Sequence, residues 1–367
     1  MPKGTSGHLP SGACDCGPHV TAAARPAVSR RDLLAGGAAA LTVGALAGSA
    51  LPGFGQERPR CLDVHHHIAP PSWLDAIKSL KRDNAPIANW SVQKTLDDMD
   101  KGGVATAITS PTTPQVNGLD AARAARVARE SNEFAKRLEA DHPGRFGTFA
   151  MLPLPHVDAS LEEIAYAFDT LHVDGIGCMT SYGDKWLGYS ELAPVWEELN
   201  RRKATVYTHP TEANCCRNLV RGISDSYIEF GTDTARSIAS LVFSGTSQKY
   251  PDINWIWSHG GGALTAFAER FLVQVTMVPP YRDKFTRDSM LAELKRFYYD
   301  TAAISGAVTL EALTKLVSAQ QIVYGTDFPY RTAADHTRGV TAFFKGDDLA
   351  RVERENALRL LPRLKSA

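Results

Sequence analysis

The 367-residue chain predicts an α/β architecture, a (β/α)8 TIM barrel with its candidate functional residues at the C-terminal face of the strands. Three observations predict it. From Cys61 onward, eight short apolar segments alternate with amphipathic ones, the pattern of parallel βαβ units. No G-x-G-x-x-G follows the first segment and no G-x-x-x-x-G-K-[ST] loop occurs, so an open nucleotide-binding sheet lacks its main support. Several of the apolar segments end in His or Asp, where a barrel places its active site.

In chain order, the first strand is expected at Cys61–His65. A helix at Thr95–Lys101 leads to the second strand at Ala105–Thr109, and the helix Leu119–Asp141 leads to the third at Phe146–Leu152. Ser160–Leu171 is the helix before the Gly175–Met179 strand, and Leu192–Arg202 the helix before Ala204–Thr208. Thr232–Ser244 precedes the sixth strand, Ile253–Trp257. Ala263–Val275 precedes the seventh, Phe297–Tyr299, and Val308–Val317 the eighth, Gln321–Tyr324. Asp347–Leu361 is read as a closing helix. Insertions at Ala69–Val92 and Thr211–Gly231 are expected to form lids or subunit contacts.

Forty Lys+Arg balance forty Asp+Glu, which argues against nucleic-acid binding; 44% hydrophobic residues argue against disorder. Six cysteines include no C-x-x-C pair, so no thiolate zinc site is expected, and adjacent Cys215 and Cys216 are poorly placed to bridge each other.

Residues 1–56 differ in composition, being rich in Gly, Ala, Ser and Pro. Ser29-Arg30-Arg31-Asp32-Leu33-Leu34 opens an apolar run to Leu51, the pattern of a twin-arginine export signal. The expected organisation is a leader over 1–56 and a catalytic domain over 57–367. The mature part is expected to be periplasmic or secreted, with no membrane association.

The chemistry concentrates at strand ends. Asp63-Val64-His65-His66-His67 closes the first strand; by alternation His65 and His67 share one face and His66 takes the other. Tyr207-Thr208-His209-Pro210 closes the fifth, Trp257-Ser258-His259-Gly260-Gly261-Gly262 follows the sixth, and Tyr324-Gly325-Thr326-Asp327-Phe328-Pro329 follows the eighth. Imidazoles with one carboxylate suit a borderline cation, Zn2+ first, with Mn2+, Co2+ or Fe2+ as alternatives.

The order His65-x-His67, His209, His259, Asp327 resembles the amidohydrolase superfamily of mononuclear type. It is most similar to the amidohydrolase-related branch that includes aminocarboxymuconate-semialdehyde decarboxylase. Tyr207–Pro210, Ser258–Gly262, Tyr324–Pro329 and Trp186-Leu187-Gly188 support the resemblance, which covers Cys61 to the C-terminus. It implies that His65, His67, His209 and Asp327 hold one metal and that His259, alone or with Asp327, moves protons. No lysine stands at the end of the fourth strand, against a carbamylated, binuclear site.

The implied reaction is non-oxidative decarboxylation of an aromatic or unsaturated carboxylic acid. The alternatives are hydrolysis of a lactone, amide or related bond by metal-activated water, and an exported metal-binding protein without catalysis. Trp186, Arg217 and Tyr330 are the candidate substrate-binding residues. The Gly260–Gly262 run is read either as a close approach for substrate or as a turn that starts a helix. The resemblance also implies a homodimer.

Overall fold

A computed structural model describes residues 60–366; the expected leader lies outside the described residues. Eight parallel strands form one sheet in the order β1 to β8. These are β1 (Cys61–His67), β2 (Val104–Ser110), β3 (Phe146–Met151), β4 (Gly175–Met179), β5 (Thr205–His209), β6 (Asn254–Trp257), β7 (Tyr298–Asp300) and β8 (Ile322–Val323). Backbone bonds from Val64 N to Tyr324 O (3.0 Å) and from His67 N to Phe328 O (2.8 Å) bring the last strand back to the first. The expected barrel is therefore present, with strand ends within a few residues of those read from the sequence.

Each strand is followed by a helix: α1 (Val92–Gly102), α2 (Ala121–Asp141), α3 (Val157–Asp169), α4 (Ala193–Arg201), α5 (Glu229–Phe243), α6 (Leu264–Met277), α7 (Ala307–Leu316) and α8 (Ala333–Phe343). Local sequence sets several of their limits. Ser91, Asp120 and Thr332 cap α1, α2 and α8 by accepting a backbone N–H three residues on, and Gly103 ends α1 in the left-handed region. The Ala69–Val92 insertion carries a further helix, Pro71–Ser79, and another, Arg287–Arg296, precedes β7. Neither these two nor α8 was expected.

The barrel interior is filled by Leu62, Val64, Ile108, Phe149, Tyr207, Ile256 and Val323, packed against Ala357, Leu360, Leu361 and Leu364 of the C-terminal segment. That apolar plug leaves the opposite, carboxyl end of the strands for polar groups. The closing helix is not continuous as expected: helical Gly346–Ala350 and Asn356–Leu360 flank a π turn at Arg351–Glu355. The wider turn belongs to its docking, since Val352 O accepts from Tyr324 N (2.9 Å) at the end of β8.

Candidate metal centre

Alternation along β1 does not by itself bring His65 inward, because Leu62 and Val64 already face the interior. A register shift between Asp63 and His66 supplies the extra residue, a bulge that resets the alternation. The His65 N–H, displaced from the ladder, donates to Asp63 Oδ1 (3.0 Å). His65 and His67 then reach the centre together, with Nε2 atoms 3.1 Å apart, while His66 points away.

His209 arrives from the end of β5, its ring 4.7 Å from that of His67. His259 follows β6 with a left-handed φ of 52°, and its ring lies 5.0 Å from that of His65. Asp327 follows β8, also left-handed (φ 69°), and its Oδ1 lies 3.2 Å from His65 Nε2 and 3.3 Å from His67 Nε2. One donor atom from each of His65, His209, His259 and Asp327 falls within 4.8 Å of all the others. Geometry thus draws in His259, which the sequence reading held outside the ligand shell. His67, which it held inside, joins through its contacts with His65 and Asp327.

The donor set fits a divalent cation. Each imidazole is committed at Nδ1 to a group that only accepts: His65 to Asp300 Oδ2 (2.7 Å), His67 to Ser110 O (3.2 Å), His209 to Pro210 O (2.8 Å) and His259 to Ala302 O (3.0 Å). Each Nδ1 must carry the hydrogen, so each neutral ring presents a lone pair at Nε2. Asp327 Oδ1 is buried among these nitrogens without a well-aligned hydrogen-bond partner. Four lone pairs and a carboxylate converging in a largely buried space repel one another unless positive charge lies between them.

The electrostatics show the same demand for positive charge, which a proton on His65 meets when no cation is bound. Burial opposes charge on His65, yet the Asp300 and Asp327 carboxylates hold its pKa up to about 10. Burial pushes His67 below its ordinary value; burial, with His67 and His65 beside it, pushes His209 well below. Burial raises the Asp327 carboxyl, but His65 and His67 outweigh it and hold it well below the usual range. β4 contributes no lysine, and Lys185 is exposed and paired with Glu191 (2.9 Å). Among the described residues these donors form one group able to hold a metal ion.

Of the candidate substrate residues, Tyr330 is nearest, its ring 6.1 Å from His67 and its hydroxyl bonded to Asn84 Nδ2 (2.9 Å). Burial pushes its phenol up to about 12. Arg217 lies further along the loop after β5 and pairs with Glu212 (3.7 Å), a carboxylate that Arg82 also engages. Trp186 sits on a short hairpin, Ser181–Tyr182 with Lys185–Trp186, and donates to buried Asp233 (2.7 Å). It lines an outer groove with Tyr189 and Phe243 and has no ring contact with the histidines. The three glycines after His259 are all left-handed. A Cβ at Gly262 would meet Gly231 O at 2.3 Å and one at Gly261 the Tyr299 ring at 2.9 Å, so packing of the turn requires them.

Sequence reasoning missed Asp300. Its Oδ2 accepts from His65 and its Oδ1 from the backbone N–H groups of His259 (2.7 Å) and Ala302 (3.0 Å). The strand-end signal that found Asp327 applies to it equally, but the seventh strand was expected to stop one residue short, at Tyr299.

The amidohydrolase family profile matches residues 62–363. A decarboxylase of Aspergillus niger is 34% identical over 328 residues, 82% of this chain and 87% of its own length. The 6-methylsalicylic acid decarboxylase of Aspergillus aculeatus is 34% identical over 321 residues, 83% and 97% of the two chains. Among solved structures, a dihydroxybenzoic acid decarboxylase from Polaromonas, with bound manganese and the inhibitor 2-nitroresorcinol, superposes with a TM-score of 0.71 at 21% identity. It covers 84% of this chain and 98% of that one.

Proposed function

The chain belongs to the amidohydrolase family, and we propose that it is a metal-dependent carboxy-lyase that removes CO2 non-oxidatively from a small hydroxy-substituted benzoic acid. The observation that carries this reading is the buried convergence of four imidazole lone pairs and one carboxylate, in a barrel whose curated relatives are decarboxylases. His65, His67, His209 and Asp327 are the ligands in this reading; His259, whose donor atom also falls in the group, is assigned to proton transfer because it alone of the five is half-buried. The imidazole-rich donors favour zinc. The manganese of the Polaromonas neighbour makes that ion the alternative to load.

When bound, the cation supplies the positive charge that holds a substrate carboxylate and an adjacent phenolic oxygen. The reaction exchanges CO2 for a proton on one ring carbon. The carbon–carbon electron pair stays on that carbon and takes the proton. His259 suits the delivery: Nδ1 is fixed on Ala302 O, Nε2 faces the cluster, and the residue is half-buried where the other three histidines are buried, so solvent recharges it. Asp327, with its open Oδ1, is the second group in reach to carry the proton. Tyr330 and Arg217 are the substrate contacts in this reading; Trp186 acts by shaping the hairpin beside the site.

Export rests on the Arg30-Arg31 pattern alone. A homodimer is supported by the exposed apolar side chains Leu219, Val220, Ile223 and Tyr227 in the loop after β5. The test of function is turnover of a hydroxybenzoate panel by zinc- or manganese-loaded protein in D2O. CO2 release with one deuterium on the vacated carbon is expected. Acid release from lactones or amides without CO2 would replace the reading with hydrolysis.

A further inference from the structure

β1 carries three consecutive histidines and the metal centre uses two. The third, His66, is buried on the far side of the strand, with its ring stacked on Phe328 (centroids 4.7 Å apart, planes 13° apart). Its Nδ1 bonds Asp63 Oδ2 (3.0 Å). Asp63 is also fully buried and binds the other side of the same short segment. Its Oδ1 accepts from Thr326 N (3.0 Å) and its Oδ2 from Thr326 Oγ1 (2.6 Å). Thr326 Oγ1 in turn accepts from Phe328 N (3.2 Å).

The residues on both sides of Asp327 are thus fastened to one buried pair, while Asp327 N donates to His65 O (2.9 Å). This matters because Asp327 adopts φ 69°, a left-handed conformation that is unfavourable for a non-glycine residue and persists only where its surroundings enforce it. A relaxed φ at this position would swing the carboxylate out of the cluster.

We propose that Asp63, His66 and Thr326 form a positioning device that holds Asp327 left-handed so that its carboxylate meets the cation. The inference rests on Asp327 being a ligand. None of the three touches the cation or the substrate; they act through the backbone on either side of Asp327.

The test is binding of Mn2+ alone to the full chain, read from the electron paramagnetic resonance signal of free Mn2+, with thermal unfolding of each metal-free variant alongside. Thr326→Val, which removes the hydroxyl and keeps the shape, is expected to weaken Mn2+ binding by about tenfold or more, the usual cost of losing an outer contact to a ligand. Thr326→Ser, which keeps the hydroxyl, is expected to restore wild-type binding. Wild-type affinity in Thr326→Val, or equal weakening in both variants, overturns the inference. If Thr326→Val does not fold, His66→Phe carries the same test, because it keeps the stack on Phe328 and loses the bond to Asp63. Asp327→Ala separates the two levels. Undiminished Mn2+ binding there defeats the ligand assignment itself, whereas weak binding there with tight binding in Thr326→Val defeats only the positioning device.

Discussion

Asp300→Asn changes one oxygen to an amide nitrogen at the hinge of the site. The carboxylate now serves two elements at once, His65 Nδ1 through Oδ2 (2.7 Å) and the backbone of His259 and Ala302 through Oδ1. An asparagine keeps an oxygen for the two backbone donors, so the turn after β6 should survive. What it cannot do is accept from His65. Its NH2 meets the Nδ1 hydrogen donor to donor, and the ring must move that hydrogen to Nε2 or rotate. Either change takes the His65 lone pair out of the cluster. Losing a buried bond to a charged acceptor costs about 1.5–3 kcal/mol, and 1.4 kcal/mol is a factor of ten, so metal affinity should fall by about 10- to 100-fold. Isothermal titration with Zn2+ or Mn2+, against a chelator where binding is tight, measures it, and circular dichroism checks the fold. Wild-type affinity in Asp300→Asn would refute the claim that Asp300 sets the tautomer of His65.

Three further outcomes follow from the same geometry. His259→Asn should retain metal while kcat falls by about 10²- to 10⁴-fold, as for loss of a general acid; metal loss would make His259 a ligand, and an unchanged kcat would end its role. Gly188→Ala places a Cβ 2.0 Å from Ser240 O on α5, and overpacking of this kind should destabilise the protein by roughly 1–3 kcal/mol in chemical denaturation; an unchanged midpoint would show that the hairpin gives way freely. His336, buried against Thr301 Oγ1 (2.9 Å), has its pKa pushed by burial from 6.5 down to about 4. The unfolded chain binds this proton first as pH falls. The stability present above pH 6.5 should therefore decline between pH 6.5 and about 4, by about 3 kcal/mol in total. His336→Gln should flatten that decline, and identical denaturation curves at pH 7.5 and 5 for the two proteins would contradict it.

The eight strands were legible because each is a short apolar run whose partner is its sequence neighbour, and the donors His209, His259 and Asp327 were legible because each sits where such a run stops. Three helices were not. In α8, Ala-Ala-Asp-His-Thr-Arg-Gly-Val-Thr-Ala-Phe has weak intrinsic helix preference and a central glycine. Gly339 is there for packing, since a Cβ would meet Ser305 O at 2.6 Å, a contact with no trace in the local pattern. The closing helix was read as continuous because its apolar spacing is continuous; its π turn answers to the end of β8.

The sequence by itself determined which residue types stand at the strand ends, and therefore that a nitrogen-rich cation site lies at one mouth of a barrel. Only the tertiary structure decided how those residues meet. The bulge in β1 that turns His65 inward, the Asp300 that fixes its hydrogen 235 positions away, and the Asp63 that reaches Thr326 across 263 positions are long-range bonds. The reason is physical. Hydrophobic alternation is a local property written in adjacent residues, whereas the protonation and aim of a buried ligand depend on whichever polar group the closed barrel places against its other side.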